Sequence, residues 1–139
     1  MIGVFRLEKV KITGERFISI ISKRLAYANI FLIVLMFLDT LTTWYGLELG
    51  FGERSTFINF LVLEFGLVMA MLIKSALSVV VFFIIDFYLF LLQDQKQVKV
   101  NVRKIFLILL ALILGFLIAN YFFAVINNFY LLFYFKWVM

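Results

Sequence analysis

The side chains in this sequence able to do chemistry are ionisable and hydroxyl groups stranded inside apolar runs, and Asp39 is the first of them, followed closely by Thr42, Thr43 and Gly46. The spacing i, i+3, i+4, i+7 puts all four on one face of a helix. A carboxylate so placed costs roughly 2.5 to 3.5 kcal/mol on an insertion scale, so it must face protein or water and find a partner. Lys74, in the next apolar run and one turn from Ser78, is the natural choice. In upright helices both groups lie about 10 to 12 Å below the same interface, so a pair is expected. The leading reading is that Asp39 and Lys74, helped by the threonines, fix how two helices dock, since polar side chains act as interhelical glue. The competing reading is a small polar cavity for an ion, a proton or an anionic head group.

Three other features bear on chemistry. Asp86 has no basic residue at matching depth, which leaves an uncharged form, approach by Lys99 or Arg103, or a partner subunit. Ala111, Gly115 and Ala119 repeat every four residues, a small-xxx-small stripe on which another helix backbone packs closely. Asn120, Ala124, Asn127 and Asn128 continue it outward on a neighbouring face, where asparagines hydrogen-bond to another helix; packing within the chain is the plainer assignment, with another chain as the alternative. No serine has a histidine base, no glycine-rich loop cradles phosphate, and the carboxylates close in sequence, Glu48 and Glu53, flank a loop with no electrophile. The expectation is no catalytic residue, no metal, no cofactor and no enzyme activity.

These groups must be held by membrane-solvated elements. Of 139 residues, 66% are hydrophobic and 15% charged, against about half apolar in soluble domains. With no proline, helix breaks fall to glycine and polar side chains, and with no cysteine or histidine, disulfides and most zinc or haem ligation are excluded. The net charge of +5 is concentrated ahead of the first apolar run, in Arg6, Lys9, Lys11, Arg16, Lys23 and Arg24. That excess predicts a cytoplasmic N-terminus facing anionic lipids, not a nucleic-acid site. A basic segment this long, with no small-residue cleavage site, is not expected to be a signal peptide.

The expected fold is all-α, an integral membrane protein with three transmembrane helices, over about 25–47, 67–92 and 105–126. Residues 1–24 are expected as a basic amphipathic surface helix with Phe17, Ile18, Ile20 and Ile21 on its apolar side. The stretch 56–92 would run about 55 Å as one helix, so it must bend, and Glu64 and Gly66 mark the break, leaving 56–65 as a short outer interfacial or re-entrant segment. A hairpin turning at Lys74 and Ser75 is the competitor, but it would put Lys96, Lys99, Arg103 and Lys104 outside, against the positive-inside rule. Residues 25–128 thus form the membrane domain and 129–139 an aromatic interfacial tail. The protein is expected to be multi-pass in the cell membrane, N-terminus in and C-terminus out.

The run from Leu38 through Asp39, Thr42, Thr43 and Gly46 to Leu47, then Gly50-Phe51-Gly52-Glu53, Lys74 and Asn127-Asn128, resembles a prokaryotic family of small three-span membrane proteins described only as a domain of unknown function. The resemblance covers about 28–128. Its pattern is Asp, Thr and Gly in the first span, a Glu-x-Asn-Pro turn, Lys in the second span and a terminal Asn. Here Ser55-Thr56 replaces Asn-Pro, removing the proline that would start the next helix. The resemblance implies three spans and an Asp39–Lys74 pair, and no activity. The expected role is association, as an accessory or scaffold subunit of a membrane complex or as a homo-oligomer. The alternative is a minimal oligomeric transporter or ion pathway centred on Asp39 and Lys74.

Overall fold

A computed structural model of the protein describes residues 2–52, 55–94 and 99–138, with side chains from Gly14 to Tyr134. The described residues form four helices: α1 (Ile2–Glu48), α2 (Thr56–Phe65), α3 (Leu67–Asp94) and α4 (Val100–Val138). Within them Gly14–Glu48, Leu67–Asp94 and Val100–Tyr134 are long and apolar enough to cross a membrane. Their outward surfaces are large and apolar, with Phe123 70% and Phe116 69% exposed, so lipid is the only solvent that suits them. The chain is a multi-pass membrane protein.

Punctuation by glycine fixes the layout. Gly50, at φ 85°, ends α1 in a Schellman turn: its N–H donates to Leu47 and the Phe51 N–H to Gly46, each at 3.0 Å. Gly66, at φ 79° and ψ 164°, occupies a region closed to other residues; its N–H caps α2 at Val62 and its carbonyl receives the Ala70 N–H of α3. The expected break between α2 and α3 is therefore where the structure has it. In place of a proline, the Ser55 hydroxyl accepts from the Ile58 N–H and starts α2. α3 is unbroken across Lys74 and Ser75, which rules out the competing hairpin.

Two expectations about the ends differ from the structure. The basic N-terminal segment is helical, but continuous with the first span, so α1 is one helix of 47 residues, about 70 Å long. No proline and no positive-φ glycine interrupts it between 2 and 48, and Gly14 and Gly46 are accommodated within the helix. The aromatic tail likewise continues α4, with Phe129 stacked on Phe133 and Tyr130 on Tyr134, one helical turn apart.

α1 is the central element, packed by α3 and by α4, while α2 packs on α3. Ile18, Leu25 and Leu32 recur every seven residues, and with Met36 they meet Ile85 and Leu89 of α3 and Leu107 and Leu114 of α4. A smaller cluster joins Ile58 and Leu61 of α2 to Ala70 and Met71 of α3, backed by Trp44 and Leu47. α3 and α4 share no extended interface, so a space is left between them over α1.

Candidate functional site

At the end of the bundle where α1 meets α2, three helices contribute to one polar cluster. The Lys74 ammonium lies 2.8 Å from Asp39 Oδ2 and donates to the Thr43 hydroxyl at 3.1 Å. The Asn128 amide donates at 3.1 Å to both Asp39 Oδ1 and the Thr42 hydroxyl, and more distantly to Thr43. Both carboxylate oxygens are thus engaged, and the side chains of Lys74 and Asp39 are only 15% and 10% exposed. Thr42 donates back to the Leu38 and Asp39 carbonyls, and Ser78 to the Lys74 carbonyl, so the hydroxyls present lone pairs to the cluster. Gly46, on the same face, is covered by the Phe51 ring.

The i, i+3, i+4 spacing on α1 is what brings these groups to one point. Asp39 and Thr43 face α3, and Thr42 faces α4. Asn128 was expected to hydrogen-bond to another helix, with packing within the chain the plainer assignment; it ties α4 to α1. An amide in hydrocarbon needs acceptors, and Asp39 and Thr42 supply them at its depth.

This cluster forms the floor of a cleft of about 810 Å³ between α3 and α4. Leu77, Val81 and Phe123 line its walls, with Tyr121, Asn127 and Ser78 among the polar groups. Asn127 and the Tyr121 hydroxyl have no hydrogen bond to any described residue.

The other end of the bundle holds a polar site that sequence reasoning missed. Arg103, 1% exposed, is the largest fully buried side chain among the described residues. Its Nη1 donates to both oxygens of Glu15 at 2.9 and 3.1 Å, while Nε and Nη2 donate to the Leu92 and Gln93 carbonyls at 2.7 and 3.0 Å. These carbonyls belong to the last turn of α3, where a helix leaves acceptors free and its dipole is negative. One guanidinium thereby closes α1, α3 and α4. It is not available to Asp86, contrary to one of the options the sequence leaves. The missed signal was Glu15, the acid amid basic residues, 88 positions from its partner. Phe17, expected on the apolar side of the N-terminal segment, is exposed and carries the Lys104 ammonium 5.4 Å from its ring centroid.

Other expected site residues are not brought together. Asp86 is exposed on the apolar surface of α3 and has no hydrogen bond or ion pair with a described residue. Gly115 and Ala119 are exposed, and a methyl added to Gly115 would meet nothing within 4 Å, so packing within the chain is not what this stripe does. Only Ala111 of the three is packed, at the edge of the core. Asn120 is exposed and donates to its own helix at Phe116. Sequence reading also passed over Asn29, buried on α1, which donates to the Phe82 carbonyl of α3 at 3.1 Å.

Among the described residues no group of three or more histidine, cysteine, aspartate or glutamate side chains is placed to hold a metal. Searches with this chain find no matching family model, no matching curated protein and no matching solved structure.

Proposed function

We propose that the protein acts by helix association in the cell membrane, as an accessory or scaffold subunit of a larger assembly or as a homo-oligomer. The observation that carries this reading is Asp86, a carboxyl exposed on an apolar helix surface without a partner among the described residues. Ionisable groups inside a membrane face protein or water, so the natural neighbour of this surface is another chain. The outward Gly115 and Ala119 stripe supports the same reading, because small residues let a second backbone approach. The test is the mass of the tagged protein extracted in mild detergent, with every co-purifying chain identified. Stoichiometric foreign chains or a discrete self-assembly support association; a monomer alone overturns it.

The orientation that goes with this reading has the N-terminus and the α3–α4 connection in the cytoplasm, since both are basic and face anionic lipid there. A cysteine introduced as Gln97→Cys then labels only from the cytoplasmic side. One observation favours a second reading, an ion or proton pathway: the Asp39–Lys74 pair floors an open cleft. Under it Asp39→Asn keeps its fold in liposomes and loses flux, whereas under association the same variant loses stability.

A further inference from the structure

The cleft between α3 and α4, which the pathway reading uses only for the ion pair on its floor, also has free hydrogen-bonding groups and apolar walls. Its volume, about 810 Å³, lies within the usual range of small-molecule sites. It is open, its lining reaches past Gly52 and Ser55 to Phe57 of α2, and Phe57, Leu77 and Phe123 in that lining are exposed apolar residues along which an acyl chain can enter. Its floor is polar but carries no net charge, because Lys74 and Asp39 neutralise each other at 2.8 Å.

Free hydrogen-bonding capacity surrounds that floor. The Lys74 ammonium has three protons, and only two are directed, at Asp39 and Thr43. The Asn127 amide and the Tyr121 hydroxyl face the cleft without partners among the described residues, and the side-chain oxygen of Asn128 has no donor among them. A guest that donates and accepts hydrogen bonds meets both kinds of group here. An anionic head group would be drawn by Lys74 but repelled by Asp39 beside it, and would lose its hydration for no net attraction.

We propose that the cleft binds one uncharged, hydroxyl-bearing membrane lipid, its head on Lys74, Asn127 and Tyr121 and its chain between Leu77, Val81 and Phe123. A diacylglycerol is the simplest molecule of this class, and it stands as the probe. The proposal does not rest on association with other chains.

The experiment reconstitutes the full chain in phosphatidylcholine bilayers with a photoreactive diacylglycerol and maps the labelled residues. Labelling concentrates on the cleft walls of α3 and α4, is competed by unlabelled diacylglycerol, and is not competed by phosphatidic acid with the same chains. Ala124→Trp, which fills the cleft, reduces labelling there to the level of the other lipid-facing surfaces. Because that variant could disturb the bundle, Asn127→Leu and Tyr121→Phe serve as a second pair, removing head-group contacts without filling space; they lower labelling while the melting temperature holds. Label spread over all lipid-facing helices, equal competition by phosphatidic acid, or full labelling of Ala124→Trp would each overturn the proposal.

Discussion

The Lys74 ammonium lies 2.8 Å from one oxygen of Asp39, while the other oxygen of that carboxylate is held by Asn128 from a third helix. The pair is therefore built asymmetrically, with a donor on each side of the acid. Removing either charge leaves the other uncompensated at low exposure, so Asp39→Leu and Lys74→Met should each destabilise by about 3 to 5 kcal/mol. The exchange Asp39→Lys with Lys74→Asp restores the attraction but turns the Asn128 amide toward a cation; the amide must then rotate to present its oxygen. The expectation is partial rescue, read from unfolding in detergent for all four proteins. An exchange no more stable than the worse single variant would show that the two residues do not act as a unit.

Asn127 and Asn128 are neighbours with opposite roles. Asn128 donates to Asp39 and Thr42, whereas Asn127 faces the cleft with no partner among the described residues. Asn128→Leu should therefore lower stability by about 1 to 2 kcal/mol, the range of interhelical hydrogen bonds in membranes. Asn127→Leu should leave it unchanged or raise it, since an exposed amide is exchanged for an apolar group in lipid. Paired thermal unfolding of the two variants decides the matter, and equal losses would contradict the assignment.

Much of the fold was written in composition and glycine placement. The apolar runs, the break at Gly66 and the matching depths of Asp39 and Lys74 follow from a 1.5 Å rise and the cost of a lone charge in hydrocarbon. What escaped were contacts set by the crossing of helices distant in sequence. Arg103 looked like one of several loop cations, because periodicity says nothing about which of them will meet the end of α3. Asn128 and the Gly115 stripe were read as neighbouring association faces of α4 with packing within the chain favoured for both, yet one is satisfied inside the bundle and the other is bare. A helix face can be read from spacing, but whether a neighbour covers it depends on how the other spans pack.

The staple at Arg103 depends on shape as much as on charge. A guanidinium reaches a carboxylate and two carbonyls at once, which a lysine ammonium cannot do. Arg103→Lys should lose about 1 to 3 kcal/mol, consistent with buried acceptors left unmet. Glu15→Gln should be milder, because the Glu15 side chain is 38% exposed and Arg103 keeps both carbonyls. The check is the order of melting temperatures, wild type above Glu15→Gln above Arg103→Lys. The reverse order of the two variants would mean that the ion pair, not the cap on α3, holds this end together.

Two glycines separate packing within the chain from packing between chains. A methyl on Gly14 would stand 2.6 Å from a methyl of Val100, where α1 crosses the start of α4, so Gly14→Ala forces that contact apart. Overpacking of this kind costs about 1 to 3 kcal/mol, against at most about 1 kcal/mol gained in helix propensity. Val100→Ala removes the opposing methyl, so the double variant should be no less stable than Val100→Ala alone. Gly115 has open space around it, and Gly115→Ile should leave unfolding of the single chain unchanged. If the stripe is an association face, the same variant should shift the detergent-extracted protein toward monomer or release co-purifying chains, because a bulky side chain keeps two backbones apart. Gly115→Ile that retains its full assembly mass would remove the stripe from the interface and leave the Asp86 surface as the place where other chains attach.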